Sequence, residues 1–288
     1  MKIAICSDST IDIQDDLIKK YDVTIIPYTI VMDGQEVPDE NILPDTLYEY
    51  TKRTGKLPKT CAVNVAQCYE VFKRLIDEGN DYVLFWTLSQ SMSSTYQNAL
   101  IAAKEFDGKV FVIDSEVVSV GICLEIDYFR RLEATGKFSV EEMIAKIKKR
   151  IPHICGSFIL GTTEYLYKGG RCSALAHIGA KILGLRPEII LKDGTMKPHK
   201  LYRGKNNIVT KKYMNDKFNE YNNPDYSIAF VAGTNAPEET KDQMVNILKE
   251  KGFKEIHKSR ANACISTHGG PNAYGFGYWN DGGDPDLD

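Results

Sequence analysis

Hydroxyl side chains gather at a few places in the first half of the chain. Ser7-Asp8-Ser9-Thr10 follows one apolar run, and Ser89, Ser91, Ser93, Ser94 and Thr95 follow a second. Asp114-Ser115 follows a third, and Thr60 stands just before a helical segment. Small neutral donors of this kind suit an anion such as a carboxylate or phosphate. They do so most where they open a helix, whose free N–H groups and positive dipole end add to them. Any one of these loops alone is accounted for by N-capping. Several set along one sheet edge point to a ligand site, because open parallel sheets bind ligands beyond their strand ends.

Other chemistries find less support. Neither G-x-x-x-x-G-K-[ST] nor G-x-G-x-x-G occurs, so nucleotide binding has no motif behind it, and no G-x-S-x-G elbow presents a serine nucleophile. His153, His177, His199, His257 and His268 are scattered, without an H-x-x-x-H pair, so no metal site is expected. Ser93, His268 and Asp114 are the residue types of a hydrolytic triad, but spacing does not bring them together. Ser266-Thr267-His268-Gly269-Gly270-Pro271 reads as a strand end running into a glycine loop. Tyr165-Leu166-Tyr167-Lys168-Gly169-Gly170-Arg171 and Arg203-Gly204-Lys205 each set a cation beside glycine. On spacing alone both are turns with solvated arginines.

The elements that must position these residues alternate. Strands are expected at 2–6, 24–32, 81–87 and 109–113, with Asp33-Gly34 as a hairpin turn. Helices are expected at 11–20, 65–78, 95–106 and 117–135, and Ser139 with Glu142 forms a capping box opening one that runs to about residue 150. This alternation implies a mainly parallel sheet. In the second half, strands at 154–160, 226–232, 255–260 and 273–279 join a hairpin of 188–191 and 195–199 about Asp193-Gly194. Helices at 175–183, 205–221 and 238–251 complete it. The expected fold is α/β with two domains: a mainly parallel three-layer α/β domain at 1–152 and an α+β domain with a mixed sheet at 153–288, the ligand between them. The apolar positions of 117–128 exceed a single stripe, which fits buried core and, second to it, a lid. The tail from residue 280 is polar, Gly-rich and acidic, and is expected to fray.

Composition sets the outer bounds. With 288 residues, two domains are the leading expectation. The net charge of −3 lacks the concentrated basic face of a nucleic-acid binder. No apolar run is long enough for a transmembrane helix, and the first residues read as a strand, not a signal peptide. Seven widely spaced cysteines without a C-x-x-C pair read as buried free thiols in a reducing compartment, hence the cytoplasm.

In their order and spacing these segments resemble the DegV family over nearly the whole chain. The landmarks are Ser7-Asp8-Ser9-Thr10, Ile26-Pro27-Tyr28, Leu88 through Tyr96-Gln97-Asn98-Ala99, Ile113-Asp114-Ser115, Lys168-Gly169-Gly170-Arg171, Arg203-Gly204-Lys205, and Thr267-His268 with its glycine loop. The resemblance implies a two-domain carrier that encloses a long-chain fatty acid, needs no cofactor, and is not itself an enzyme. It also implies, as in some members, an ATP-binding fatty acid kinase subunit as partner, with transient membrane contact. By resemblance Thr60 and Ser93 hold the carboxylate, with His268 close by. Cys61, Ser94, Thr95 and Gly269 complete the expected ligand set, and Arg171 and Arg203 the expected partner face. Thr60-Cys61-Ala62-Val63-Asn64 stands where the family usually has Thr-Ser-x-Pro-Ser, Ser93-Ser94-Thr95 where it has Ser-Gly-Thr, and Gly270-Pro271-Asn272 where it has Gly-Pro-Gly. Asn tolerates left-handed backbone, so the last change is expected to leave the loop intact. The alternatives are an enzyme acting on a small carbonyl or phosphate ligand, related in fold to dihydroxyacetone kinases, and a lipid-sensing regulator.

Overall fold

The computed structural model describes residues 1–177 and 184–287. The first half runs β1 (Ile3–Asp8), α1 (Asp15–Tyr21), β2 (Val23–Ile26), β3 (Thr29–Met32), β4 (Gln35–Pro38), α2 (Pro44–Thr54), β5 (Lys59–Cys61), α3 (Val65–Asp77), β6 (Tyr82–Thr87), α4 (Thr95–Ala103), β7 (Val110–Asp114), α5 (Val120–Thr135) and α6 (Val140–Arg150). The second runs β8 (Ile154–Ile159), α7 (Glu164–Lys168), β9 (Leu185–Lys192), β10 (Thr195–Arg203), α8 (Asn206–Glu220), β11 (Ile228–Gly233), α9 (Glu238–Lys251), β12 (Glu255–Arg260), α10 (Ala263–Gly269) and β13 (Tyr274–Trp279).

Strands β2-β1-β6-β7 form a parallel sheet. Its central strands are apolar on both faces: every residue of β1, and all but the first of β6, is buried, as a sheet covered by helices on both sides requires. Strands β10-β9-β8-β13-β11-β12 form a mixed sheet, antiparallel except for β11 with β12. A third, small antiparallel sheet, β4-β3-β5, is inserted in sequence between β2 and β6 of the parallel sheet. Helices α8 and α9 cover the outer face of the mixed sheet, where Tyr213, Met214, Phe218, Met244 and Leu248 pack on Tyr274, Phe276 and Tyr278.

Helix α5 decides how the halves meet. Ile122 through Phe129 are all buried, and a helix apolar on every side belongs inside. It packs on β11 and β13 of the mixed sheet and, through Phe129 edge-on to Trp86, on the parallel sheet. This segment is therefore core, although its first turn also borders a cavity described below.

Several expectations need correction. The strand expected at 24–32 is two strands in different sheets, parted at Pro27, which has no N–H to continue a ladder. Thr60 lies in β5 and not in a loop at a parallel-strand end. His268 belongs to the short helix α10, capped by the Asn262 side chain, and not to a strand end. Cys61 is exposed while the other six cysteines are buried. The acidic tail is tied down: Arg150 holds Asp281 at 2.7 and 2.9 Å and Asp225 at 2.6 Å while lying over the Trp279 ring. The hairpin expected at Asp33-Gly34 forms, with β4 as its second strand, whereas strand β5 and helices α2 and α7 were not expected. Most of the helix expected at 175–183 lies outside the described residues.

Candidate functional site

The ends of the parallel strands, the small sheet and α10 meet at a polar chamber. Its lining includes Thr10, Tyr28, Thr60, Ser93, Ser94, Arg171 and His268, with Leu88, Met92, Val118, Met196 and Ile265 among the apolar walls. Thr60 Oγ1 and His268 Nε2 stand 2.9 Å apart. The Tyr28 hydroxyl bridges Ser93 Oγ at 2.7 Å and Thr95 Oγ1 at 2.6 Å, and the last two are 3.1 Å from each other. Each of these hydroxyls can turn a donor toward a guest, because hydroxyl protons rotate to suit their acceptors.

Local structure fixes these side chains. Pro27 ends β2, so the chain turns and Ser9 Oγ accepts the Tyr28 N–H at 3.0 Å, which fixes the backbone that carries the tyrosine. Asp8 accepts the N–H of Thr10 and of Leu88, both at 3.0 Å, pinning the ends of β1 and β6 side by side. Ser94 occupies the N-cap position of α4, so the positive end of that helix borders the chamber. The Ser93 hydroxyl, one residue earlier, accepts the Thr95 N–H at 3.2 Å.

The electrostatics are unusual for an anion site. His268 is held down to about 3 by burial first and by the Arg171 charge second, so it is neutral at pH 7. Its Nδ1 is buried and finds no hydrogen-bond partner among the described residues. The cation of the lining is Arg171, which is exposed and donates to Gly169 O at 2.6 Å and Met92 O at 3.4 Å. Behind the chamber, burial lifts the carboxyls of Asp8 to about 6, Asp12 to about 7 and Asp39 to about 6. The chamber can thus offer neutral donors to a carboxylate, with Arg171 at its rim.

A second, almost wholly apolar cavity continues from the chamber. Val118, Met196, Ile265 and His268 line both. It runs between the first turn of α5 and the inner face of the mixed sheet and encloses about 740 Å³ of empty space, part of it open to solvent. Small residues make the room: Gly156 of β8, Ala232 and Gly233 of β11 and Gly275 of β13 line it, and Gly156 pairs with Gly277. These glycines differ in kind. A Cβ at Gly275 would overlap the Ser157 carbonyl oxygen, so backbone approach demands that glycine. A Cβ at Gly156 would stand 3.6 Å from Ile154 Cγ2 and 3.8 Å from Leu191 Cδ1, so nothing but the cavity itself needs that one.

Of the residues singled out from sequence, Thr60, Ser93, Ser94, His268 and Arg171 converge on the chamber. Thr95 stands one layer behind, its Oγ1 accepting the Val63 N–H at 3.2 Å. Gly269 lines the apolar cavity. Cys61 is paired with Thr29 in the small sheet and lines neither space. Arg203 is exposed at the end of β10, away from both. Asp114 caps the turn at Gln90 and Glu116 and does not touch His268, so no triad forms. Asn272 has φ 59°, the left-handed backbone expected of it. Sequence reasoning missed Tyr28, whose signal was the strand-breaking proline before it. It also missed Gly156, whose role depends on strand pairing that local spacing does not reveal.

Comparison with known proteins agrees with this architecture. The model of a family described as "Uncharacterised protein, DegV family" matches residues 2–281. A DegV domain-containing protein of Caldanaerobacter subterraneus is 30% identical over 277 residues, covering 95% of this chain and 97% of that one. A protein of Thermotoga maritima named "Fatty acid-binding protein" is 30% identical over 286 residues, covering 96% and 97%. Among solved structures, a fatty-acid-binding DegV family protein of Thermus thermophilus superposes with a TM-score of 0.89 at 25% identity, over 97% of this chain and all 100% of that one. A stearic-acid-binding protein of Eubacterium ventriosum superposes with a TM-score of 0.80 at 27% identity, over 96% and 98%.

Proposed function

This chain belongs to the DegV family, and on that premise we propose that it binds one long-chain fatty acid, carboxylate in the polar chamber and tail in the apolar cavity. One observation carries the reading: an apolar space and a chamber of neutral donors share a wall of four residues. The amphipathic ligand this fits has a small anionic head and a long unbranched tail. In this reading residues 1–152 and 153–288 are the two domains that enclose it.

The energetics suit a carrier. Each buried methylene is worth about 0.8 kcal/mol, so a tail of ~15 supplies roughly 12 kcal/mol gross, before the cost of association. A hydrogen bond to a charged group adds about 1.5–3 kcal/mol. The tail therefore gives affinity, and Thr60, Ser93 and His268 give orientation and preference for an acid. An enzyme for a small carbonyl or phosphate ligand would have no use for the apolar cavity. The carboxylate end faces the rim at Arg171, which supports presentation to a separate ATP-binding kinase subunit in the cytoplasm. Transient membrane contact belongs to the same reading, since a free fatty acid partitions into bilayers. No described helix is long and apolar enough to cross a membrane.

Denaturing extraction of the purified protein followed by mass spectrometry tests this. A stoichiometric long-chain fatty acid is expected. No lipid, together with no uptake of added palmitate or oleate, would overturn it, and a phosphorylated polar ligand would favour the enzyme.

A further inference from the structure

The apolar cavity is partly open to solvent, and the hairpin of β9 and β10, which walls it through Leu191 and Met196, has the build of a door. Its two strands share seven residue pairs with each other, but β9 pairs with β8 only at Glu188, Ile189 and Ile190. The distal part, residues 191–196, therefore lies beyond the ladder of β9 with β8, at the free end of the edge hairpin. That end carries Leu191 and Met196, which wall the apolar cavity, and Met196 also walls the polar chamber. What holds it down is local. Ser89 Oγ, on the loop after β6, donates to the Gly194 carbonyl at 2.7 Å, and Cys172 Sγ lies 3.4 Å from the Met196 carbonyl.

The tip fits its seat closely. Gly194, in the Asp193-Gly194 turn with φ 71°, is buried. A Cβ built on it would lie 2.7 Å from Ser89 Oγ and 3.4 Å from Ser91 Oγ. Two of the loop hydroxyls that the chamber leaves unused thus face the hairpin. Asp193 at the tip is largely exposed and lies 3.6 Å from Lys197 Nζ, a surface ion pair that adds little to the seating. One neutral hydrogen bond with a weak thiol contact beside it makes a latch that can release.

We propose that the β9–β10 hairpin is the gate through which the fatty acid enters and leaves, and that Ser89 bound to the Gly194 carbonyl is its latch. This rests on the fatty-acid reading above. The hairpin is carried by two strands whose mutual pairing survives opening, so the tip lifts as a unit, pivoting where β9 leaves β8. Opening removes Leu191 and Met196 from the cavity wall and exposes the tail's path.

The test is a crosslink. In the double variant Ser89→Cys with Gly194→Cys, a Cβ at 194 lies 2.7 Å from the position of Ser89 Oγ, within disulfide reach, at the cost of straining the left-handed backbone there. Exchange of a fluorescent fatty acid is followed in the oxidised and reduced protein, with bound lipid measured separately. The expected result is exchange slowed at least tenfold by oxidation and restored by dithiothreitol. Ser89→Ala alone is expected to speed exchange about three- to tenfold, the worth of one hydrogen bond, and decides the matter if the crosslink does not form. Unchanged exchange in a crosslinked protein, or in Ser89→Ala, overturns the gate while leaving lipid binding standing. Absence of any bound or added lipid overturns the fatty-acid reading instead.

Discussion

The polar chamber and the apolar cavity share four wall residues but are built in opposite ways. The chamber is made by adding groups: Tyr28, Thr60, Ser93 and His268 come from β-strand ends, a small sheet and a short helix, and reach one another across as many as 208 positions of sequence. The cavity is made by leaving groups out, at Gly156, Ala232, Gly233 and Gly275 on neighbouring strands. Added groups act through hydrogen bonds of about 1–3 kcal/mol each, whereas an omitted side chain acts through several methylenes at once. The difference teaches where specificity resides: the chamber discriminates chemistry, and the cavity discriminates size.

Filling the cavity should therefore have the largest effect. Gly156→Val puts a β-branched side chain in a strand, where it is well tolerated, at a position where the added Cβ itself has no neighbour closer than 3.6 Å. Displacing about four methylenes of tail costs roughly 3 kcal/mol, so palmitate affinity should fall on the order of a hundredfold while the fold persists. Shorter acids should lose less. Titration across a chain-length series checks this. Equal losses at all lengths would mean that the tail does not reach Gly156.

Next come the chamber's donors. Thr60→Ala, Ser93→Ala and Tyr28→Phe should each weaken binding by about 1–3 kcal/mol, independently of chain length. Tyr28→Phe is the sharpest of the three, since it removes one oxygen that two hydroxyls share. Calorimetry with palmitate and with the corresponding alcohol separates head from tail: the variants should bind the alcohol almost as the parent does. A chain-length dependence in these variants would dissolve the division of labour.

The contrast also explains what was legible in the sequence. The parallel half was readable because β1 and β6 are apolar runs followed by hydroxyl loops, both local signals. The chamber was readable in outline for the same reason, through Ser93 and Thr60. Tyr28 escaped because 24–32 reads as one strand unless Pro27 is given its weight. The helix carrying His268 escaped because α10 is only seven residues long and ends in glycines. The cavity was illegible because a glycine on a strand signals a bulge, a close approach or an empty space alike. Only the pairing of Gly156 with Gly277, 121 positions away, distinguishes the last. The tail misled because polar, acidic, Gly-rich composition usually means fraying, and nothing local announces that Arg150 waits for Asp281.

At the seam of the two spaces stands Asp12. It accepts the Asn262 N–H at 2.8 Å, at the cap of the helix that carries His268, and accepts from the hydroxyl of Ser119, which lines the apolar cavity. Its carboxyl is raised to about 7, by burial above all, against about 3.9 when unfolded. The folded state therefore holds the proton more tightly. This stability is fully present below about pH 4 and is lost as the pH rises through 7. Asp12→Asn keeps an acceptor for Asn262 and suits the φ of 52° at this position. It should raise stability at pH 8 by about 1–2 kcal/mol and flatten the profile between pH 4 and 8. Chemical denaturation across that range checks it, and a variant less stable than the parent at pH 8 would show that ionised Asp12 is what the seam requires.

Arg171 should matter least to binding, which makes it the finest test of the comparison. If the chamber selects an acid through neutral donors, Arg171, the one cation among the described residues of its lining, is dispensable for holding the ligand. Its guanidinium is exposed and donates to two backbone carbonyls, Gly169 and Met92, and interactions of such exposed charges are worth about 0–1 kcal/mol. Arg171→Ala should then change thermal stability and palmitate affinity by less than about 1 kcal/mol. Removing the positive charge also lifts one of the two causes that hold His268 down, but burial remains, so His268 should stay neutral. With a cognate kinase present, the same variant should sharply reduce acyl phosphate formation, since arginine is enriched among interface hot spots. A tenfold or greater loss of fatty acid affinity in Arg171→Ala, steeper at low salt, would mean instead that the carboxylate is held by charge at the rim. The hydroxyls of Thr60 and Ser93 would then be wall, not site.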